Sequence, residues 1–595
     1  MGWLIAAIVV VVVVVAVVII ASMLGKRKEP PAGEGAGCEN GGDQSVGGAT
    51  STCESDKKPK VVSSLVVHVV EPDGTTAVES ADATISGPSS GQDVTAADGK
   101  VTFADINAGN YQVTARSGSF FPGSGAVSVP AGGTGQITIQ LGRHAVLEIE
   151  EITFGSNHKI DKDTLGAFRS PEWVKGRAAA DQSPVCYTRN KKVKLTAKFK
   201  VTTQPSQPDA VAIRGKSTFN GAGGATAALE WTGTVNVNSG DTEVTSSAIE
   251  SDVVLPNQVD CYDGQTIAWE MNPGNTGWAA AGNSEHLVYV TLADPAGGVK
   301  VYWTLVDLTC RSAKGVTTAD ALVTDSFNQL KTGIGNGNGL KRKRDGQELS
   351  YWKLARNTPQ IFSTAEMLAT TNPNGHGRCG AWQDFTVDMH KIHGITTTVK
   401  IGMFTDAMQN HGVDTGFLVK NWKFNGAGTR AAPYTHVAGT PVAAECQMLS
   451  NGIPGQGKDN PQKYFWDHAI IQYGGAYYDP SYGAGPIATQ HDYEAVAMDG
   501  MGAGAQVVLT DSGGFQHFAQ ELCSRGYRVH IITPADTPAG IAASYAVASW
   551  KDLYDHPYNA GYKTRNSVMN TLGVGDFIFV PREISNINML VFLVI

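Results

Sequence analysis

Short runs of alternating apolar and polar residues, separated by turn residues, extend from Val61 to about Thr309 and constrain the fold of this chain most strongly. The run Leu65–Val70 ends at a Glu-Pro-Asp-Gly turn, and Lys192–Val201 alternates over its whole length. Because side chains of a strand point alternately to its two faces, this period predicts strands of half-buried sheets. The 69 glycines, with many Ser, Thr, Val and Asn residues, agree with turn-rich β structure.

The composition excludes several protein classes. With 42% apolar and 17% charged residues, the chain can bury substantial cores and is neither globally disordered nor a coiled coil. The net charge of −9 argues against a nucleic-acid binder. The 8 cysteines include no CxxC pair and are too few for a disulfide scaffold, so their pairing stays open.

The segment Trp3–Leu24 is an uncharged apolar run that is long enough to cross a bilayer as a helix. No basic residue precedes it and no small-x-small site follows it, so it predicts an uncleaved membrane anchor. Lys26–Lys28 follows directly and would retain the bulk of the chain in the cytoplasm. The β-rich remainder favours a single-pass membrane protein with a periplasmic or extracellular bulk, and the orientation is left open.

The chain divides into modules by its composition and its element pattern. The expected modules are an anchor (1–28), a flexible tether (29–60), a first β-sandwich (61–142), a second β-rich domain (143–315), a cysteine domain (316–515), a small C-terminal domain (526–584) and a hydrophobic tail (585–595). Within the first sandwich, Asp98–Phe103 and Ala108–Tyr111 resemble the carboxypeptidase regulatory-like domain. That resemblance implies a transthyretin-like sandwich without chemistry of its own.

Cys379 is the candidate nucleophile. It follows the glycine-rich stretch Gly375–Arg378. Apolar residues recur after it at helical spacing: Trp382, Phe385, Met389 and Ile392. This periodicity predicts a helix that begins near Cys379 and ends at Gly394. Because the helix dipole and the free amides of the first turn stabilise negative charge, a cysteine placed there favours the reactive thiolate.

The residues after Trp466 predict a hairpin with Gly474–Gly475 as its two-residue turn. In that register His468 lies diagonal to Asp479 on one face of the sheet. Asp479 can then hold one imidazole nitrogen while the other faces a thiol. The sequence therefore predicts a catalytic triad with Cys379 as nucleophile, His468 as base and Asp479 as the orienting carboxylate.

This order of residues resembles the transglutaminase-like superfamily over residues 317–500. The shared pattern is a helix-capping Cys after Gly-x, a strand His, a hairpin and an Asp before Pro, matched here by Cys379, His468 and Asp479. The resemblance implies a papain-like fold in which the cysteine attacks a carboxamide and water or an amine resolves the thioester. Trp352 is a candidate oxyanion donor. The family includes transamidases, peptidases and inactive members, so the substrate and the activity are left open.

A zinc site is the competing hypothesis for this region. His376 with Cys379 and His390 with His393 supply two pairs of possible ligands. At 1.5 Å per helical residue, however, Cys379 lies about 16 to 20 Å from the second pair. We therefore expect no metal site and no cofactor.

Two further motifs carry no expected function. Gly333–Gly339 matches a loose GxGxxG pattern, but no strand precedes it, so a dinucleotide site is not expected. The run Lys341–Arg344 is interpreted as a solvated loop rather than a nucleic-acid patch. No nucleic-acid partner is predicted.

The C-terminal strand–helix–helix–strand pattern, opening at Arg528 and closing at Pro581, resembles a LysM domain, with Ala535 in place of the family's first Gly. The resemblance implies binding of N-acetylglucosamine polymers such as peptidoglycan or chitin. The glycan-binding residues it implies are Asp536, Thr537, Pro538, Asn559 and Ala560. A LysM fold used only for protein contacts remains open. The closing run Met589–Ile595 is too short to span a bilayer and is either a last strand or a docking tail.

Together these patterns predict a multidomain α+β protein with a transmembrane helix, two β-sandwich modules, a papain-like transglutaminase core and a small βααβ LysM domain. The expected function is a membrane-anchored cell-envelope thiol enzyme, docked to peptidoglycan and acting on protein or peptide amides. The alternatives are a catalytically inactive structural or binding protein of the envelope, and a component or effector of a secretion or contractile injection apparatus.

Overall fold

The structure is a computed structural model, and it describes most of the chain after Lys60. The described residues are 61–118, 120–334, 339–352, 361–405, 415–419, 455–458, 464–503, 508–510, 516–518, 527–581, 584–585, 588 and 590–595. By its internal contacts the chain divides into residues 1–60 and 61–595. The predicted tether, Cys38, Cys53, Cys446 and Cys523 lie outside the described residues.

Residues 63–140 form a β-sandwich of two sheets. One sheet consists of Lys100–Ile106, Ser63–Val70 and Thr134–Gln140, in that order. The other consists of Gly91–Val94, Asp82–Ser86, Gly109–Arg116 and Gly123–Val129. Leu65, Val67 and Val69 are fully buried, so the alternating pattern correctly identifies the inward face.

A second, larger sandwich follows between residues 146 and 291. Its first sheet contains Trp173–Val174, Val146–Gly155, Lys194–Thr203, Glu243–Thr245 and Ile249–Glu250. Its second sheet contains Val185–Thr188, Ala279–Thr291, Asp260–Asn272, Asp209–Asn220 and Thr226–Val237. The two sheets enclose Trp231 and Trp269, whose indole N–H groups donate to Val193 and Ser284. Two short ladders flank the sandwiches: Phe120–Phe121 with Gly142–Arg143, and Ile160–Asp161 with Val301–Tyr302.

Helices and a further sheet form the part of the chain that contains Cys379. Its elements up to residue 497 are α1 (Trp303–Ser312), α2 (Ala319–Thr332), β1 (Ser350–Tyr351), α3 (Thr364–Leu368), β2 (His376–Gly377), α4 (Cys379–Lys391), β3 (Val399–Thr405), β4 (Asp467–Tyr473), β5 (Ala476–Asp479), β6 (Ala484–Ile487) and α5 (Gln490–Ala497). Short β structure also occurs at Thr415–Val419, Tyr464–Phe465, Met498–Ala503, Val508–Thr510 and Gln516–Phe518.

A small C-terminal unit follows, and the chain then returns to the cysteine region. The elements are β7 (Tyr527–Ile531), α6 (Pro538–Ser544), α7 (Trp550–Tyr554), α8 (Ala560–Arg565), β8 (Phe577–Pro581) and β9 (Leu590–Val594). Strands β7 and β8 pair antiparallel. Strand β9 pairs with β3 and completes a sheet of order β6-β5-β4-β3-β9. The closing run therefore supplies a last strand at Leu590–Val594, which is one of its two predicted roles.

The second sandwich is tied to α1 through the buried carboxylate of Asp163. It accepts hydrogen bonds from the amide (2.9 Å) and hydroxyl (2.7 Å) of Thr304. Arg344 donates to the carbonyl of Asp163, and Arg342 donates to Asp345 and to backbone carbonyls. The prediction of a solvated loop at 341–344 is therefore wrong for its two arginines, because both side chains are buried.

The predicted fold class and localisation require correction. Among the residues that the structure describes, strands account for 43% and helices for 18%, so this part is mostly β-sandwich rather than a balanced α+β protein. The difference arises because the two sandwiches are long, whereas the helices around Cys379 are few and short. Within the described ranges, no helix is long and apolar enough to cross a membrane, so a single-pass membrane protein is not supported. The predicted span Trp3–Leu24 lies outside those ranges.

Candidate functional site: a buried cysteine, histidine and aspartate

Cys379 is the first residue of α4, as the sequence predicts. Trp382, Phe385 and Met389 are buried along one face of the helix. A side chain at Gly377 would place its Cβ 2.7 Å from the Met367 sulfur, so this approach to the helix requires glycine. Arg378 occupies the N-cap position without capping the helix through its side chain.

The histidine and the aspartate lie on the predicted hairpin. Strands β4 and β5 pair with Tyr473 opposite Ala476, which confirms the predicted turn at Gly474–Gly475. His468 Nε2 and Asp479 Oδ2 are 2.8 Å apart, and both side chains are almost completely buried. The register inferred from the hairpin thus places these two residues in contact.

The Asp479 carboxylate is held from four directions. Oδ2 accepts from His468 and from the Tyr493 hydroxyl at 2.7 Å. Oδ1 accepts from the amides of Ser481 at 3.0 Å and Tyr482 at 3.4 Å. Since both oxygens accept, the site is suited to a carboxylate and not to an amide. Tyr493 comes from α5, and nothing in its local sequence predicts this contact.

The His468 ring carries a stabilised positive charge. Burial alone would disfavour the imidazolium, but the charge and hydrogen bond of Asp479 outweigh it, and the nearby Cys379 raises the pKa further. The net effect raises the pKa of His468 to about 10. His468 Nδ1 is buried and accepts or donates no hydrogen bond. Cys379, His468 and Asp479 are all buried, so the three predicted residues lie in one buried region.

Aromatic rings cover this group on the side of β1. Trp352, which follows β1, has a positive φ of 57°, a conformation that costs energy for a bulky residue. Its amide donates to Gly377 at 2.9 Å and its carbonyl accepts from Lys458 Nζ at 2.7 Å. The centroid of the Trp352 ring lies 5.7 Å from that of Phe465. The centroid of the Phe465 ring in turn lies 5.4 Å from that of His468. The sequence identifies Trp352 as a candidate, but not Phe465 or Lys458.

The other described thiols provide a contrast. Cys186, Cys261 and Cys310 are free and buried in a hydrophobic cluster. Burial raises the pKa of Cys261 to about 12 and raises the pKa of Cys186 and of Cys310 still further. These three cysteines are therefore unreactive at neutral pH.

The histidines of the zinc hypothesis are engaged within the protein. His393 Nδ1 accepts from the Leu292 amide and its Nε2 bonds with the Thr309 hydroxyl at 2.8 Å. Burial lowers the pKa of His393 to about 3 and that of His390 to about 4. Across the described ranges, no group of three or more His, Cys, Asp or Glu residues is arranged to hold a metal ion.

The residues implied in glycan binding occupy two different settings. The Asp536 carboxylate accepts from the Thr533 amide (2.6 Å) and from His530 Nε2 (3.2 Å). Thr537 caps α6 through its hydroxyl, and Pro538 begins that helix. In this turn Thr537 is exposed and Asp536 and Pro538 are half-buried, and the role of all three in binding stays a prediction.

Asn559 and Ala560 lie at the start of α8, and Asn559 is buried. Its amide group donates to the carbonyls of Leu553 (2.8 Å) and Phe579 (2.7 Å), and it accepts from the Phe579 amide (2.7 Å). All three bonds are internal to the C-terminal unit. Asn559 therefore joins α7 to β8, and its amide group is already committed.

Comparisons with known proteins give little guidance. No family model matches the chain, and no curated protein matches it. The major pilin subunit BcpA of Bacillus cereus is 10% identical, with 39% of this chain and 69% of that chain aligned and a TM-score of 0.20. The major pilin SpaD of Corynebacterium diphtheriae is 9% identical, with 38% of this chain and 64% of that chain aligned and a TM-score of 0.19. The pilus protein RrgB of Streptococcus pneumoniae is 12% identical, with 36% of this chain and 49% of that chain aligned and a TM-score of 0.22.

The three named neighbours are pilins, and none is a transglutaminase-like or LysM protein. Of the features expected from the sequence, the β-sandwich agrees with the described structure, whereas a transmembrane helix does not occur among the described residues. TM-scores near 0.2 are too low to carry an argument about function. The two family resemblances stay predictions, and the site has to be judged from its geometry.

Proposed function

We propose that the protein is a thiol enzyme that transfers or hydrolyses acyl groups of protein or peptide amides. The observation that carries the proposal is the 2.8 Å contact between His468 and Asp479, buried beside the helix-terminal Cys379. An imidazolium whose pKa is about 10 stays charged at neutral pH and favours a thiolate next to it. A thiolate, an imidazolium and an orienting carboxylate are the parts of a cysteine acyl-transfer site.

The steps balance with these three side chains alone. The Cys379 thiolate attacks the carbonyl carbon of the amide, and the carbonyl electrons move onto oxygen. The His468 imidazolium donates its proton to the leaving amine as the C–N bond breaks, which leaves a thioester and neutral imidazole. The imidazole then removes a proton from water or an amine, which attacks the thioester and regenerates the thiolate.

The first turn of α4 can stabilise the oxygen that becomes charged. The first amides of a helix have no intrahelical partner, and no side chain caps α4. The amide of Cys379 itself belongs to this set. Backbone donors at this position are fixed before reaction, which is the arrangement that lowers the barrier to an oxyanion.

A trapping experiment tests the proposal. The protein is incubated with a pool of glutamine-containing peptides and hydroxylamine, and hydroxamates are measured by mass spectrometry after an acid quench that preserves thioesters. We expect hydroxamates and an acyl adduct on Cys379, and neither product with Cys379→Ser. Asp467→Asn is the matched control, because Asp467 precedes His468 on β4 but is exposed.

If folded protein forms neither a hydroxamate nor an acyl adduct on Cys379 with any peptide, the result would contradict the proposed catalysis. It would favour the alternative of a structural or binding protein. Wild-type yields from Cys379→Ser would contradict the assigned nucleophile.

We also propose that the C-terminal unit docks to N-acetylglucosamine polymers. The loops after β7 and before β8 lie side by side, because Ile532 exchanges backbone hydrogen bonds with Gly575 (2.9 Å) and Asp576 (2.8 Å). Val574 is 54% exposed at this end. An exposed apolar side chain beside the polar turn at Asp536 suits the apolar face and hydroxyl edge of a sugar ring.

Sedimentation of the full chain with chitin tests this docking. Val574→Asp should reduce the bound fraction, whereas Val94→Asp should not, because Val94 is equally exposed (53%) but lies on the first sandwich. Equal binding by both variants would contradict a groove at this position.

A further inference from the structure

Arg378 lies between two aromatic rings directly before the nucleophile. The centre of its guanidinium is 4.5 Å from the centroid of the Trp352 ring and 5.6 Å from that of the Phe362 ring. Stacking of this kind fixes the plane of a guanidinium and leaves its N–H edge available. The side chain is therefore preorganised.

The guanidinium has no carboxylate partner in the described part of the chain. Glu366, nearby in sequence, uses its carboxylate to accept from the amides of Phe362 (2.8 Å) and Ser363 (3.1 Å). Arg214 provides the contrast, because it stacks on Trp278 at 4.0 Å and also pairs with Glu270. A half-buried arginine that is stacked but unpaired is equipped to receive an anion from outside.

This arginine is linked to the reacting group by continuous contacts. The Trp352 ring on which it stacks contacts Phe465, which contacts the His468 ring. On the other side, Phe362 is 49% exposed and packs near the first turn of α4, where a Cβ at Gly380 would lie 3.7 Å from its ring. The guanidinium thus lies beside rings that contact both the His468 side of the site and the first turn of α4, which begins at Cys379.

We infer that Arg378 forms a carboxylate-binding subsite, so that the acyl donor is an amide with a free carboxylate close to the scissile bond. This inference rests on the proposed function and specifies its substrate class. A fixed guanidinium binds a carboxylate through two parallel N–H···O bonds, which orient the donor as well as hold it. The carboxylate is either the terminal group of a chain or an acidic side chain.

Paired alkylating reagents test the subsite without knowledge of the natural substrate. The rate at which iodoacetate alkylates Cys379 is divided by the rate for iodoacetamide, and the quotient is normalised to that of free N-acetylcysteine. We expect the wild type to favour iodoacetate by about tenfold, the effect of one good charge-assisted contact. Arg378→Gln should lose the preference, Arg378→Lys should retain part of it, and Arg214→Gln should leave it unchanged.

Protection of the wild-type protein gives a second measurement that needs no variant. N-acetylglycine, with a terminal carboxylate, and N-acetylaspartic acid α-amide, with a side-chain carboxylate, are tested for slowing the iodoacetamide reaction of Cys379. We expect one of these two compounds to protect Cys379 saturably, which identifies whether the bound carboxylate is a chain terminus or an acidic side chain. Sodium chloride at equal ionic strength should give no protection.

The outcomes separate this inference from the proposed function. If iodoacetamide alkylates Cys379 rapidly but the iodoacetate preference is absent or survives in Arg378→Gln, the subsite is overturned and the nucleophile stands. Protection by chloride equal to that by the carboxylates also overturns it. If Cys379 reacts with neither reagent, both proposals fail.

Discussion

Replacing Asp479 by asparagine probes the site with the smallest change in shape. Both oxygens of Asp479 accept hydrogen bonds, Oδ2 from His468 and Tyr493, and Oδ1 from two backbone amides. An asparagine has one acceptor oxygen, so in either orientation its NH₂ group faces two donors. Each buried donor left without an acceptor costs about 1 to 3 kcal/mol.

The larger effect falls on the charge of His468. Without the carboxylate, burial is the dominant influence and lowers the pKa of His468 from about 10 to below its ordinary 6.5. A fall of more than three units corresponds to about 5 kcal/mol of lost preference for the imidazolium. At pH 7 the ring becomes neutral, and the adjacent thiol loses the charge that favours its thiolate.

Stability should follow pH with a definite sign. Because the folded-state pKa of His468 is raised, its stabilisation is fully present below about pH 6.5 and is lost as the pH rises towards 10. The difference in unfolding free energy between the wild type and Asp479→Asn, measured with urea, should therefore be largest at pH 6 and smaller at pH 9.5. The alkylation rate of Cys379 at pH 7 should fall by about a hundredfold or more.

Asp467→Asn makes the same chemical change at the exposed residue before His468. It should alter neither the unfolding free energy nor the alkylation rate of Cys379. A stability difference for Asp479→Asn that is constant from pH 6 to pH 9.5, together with an unchanged alkylation rate, would refute the charged pair. The loss would then reflect hydrogen bonding alone.

Three further predictions concern the surroundings of the site. Tyr493→Phe removes a 2.7 Å bond to the Asp479 carboxylate and should lower the unfolding free energy by about 1.5 to 3 kcal/mol in urea, and no change would contradict its positioning role. Asn559→Ala should increase hydrogen exchange throughout the C-terminal unit, since it orphans the buried Phe579 amide; intact protection with lost chitin binding would instead indicate a direct glycan contact. Deleting residues 590–595 removes β9 and a donor to the buried Glu494, and should lower the thermal midpoint by several degrees; an unchanged midpoint would show that β9 is dispensable.

Local patterns in the sequence identify the elements that carry the triad. The 3.6-residue period after Cys379 predicts α4 and its end near Gly394, whose φ of 76° suits glycine. The two-residue turn at Gly474–Gly475 fixes the register that brings His468 to Asp479. Both inferences succeed because short-range geometry alone determines them.

Features that depend on distant parts of the chain are not predictable in this way. The bond from Tyr493 to Asp479 depends on how α5 packs. The pairing of β9 with β3 joins strands almost two hundred residues apart, and no local period encodes it. The burial of Arg342 is also unexpected, because a run of basic residues is usually solvated; here carboxylate and carbonyl acceptors meet its guanidinium.

The protonation of the His468 ring tests the central claim most directly. NMR of protein labelled with ¹⁵N in its histidines records the imidazole signals from pH 5 to 11, and His468→Gln identifies the signal that belongs to His468. We predict that this ring keeps its charge through pH 8 and loses its proton near pH 10, since the charge and hydrogen bond of Asp479 outweigh burial and raise the pKa of His468 to about 10. Loss of the proton near the ordinary pKa of about 6.5 would contradict the ion pair with Asp479 and with it the proposed enzyme.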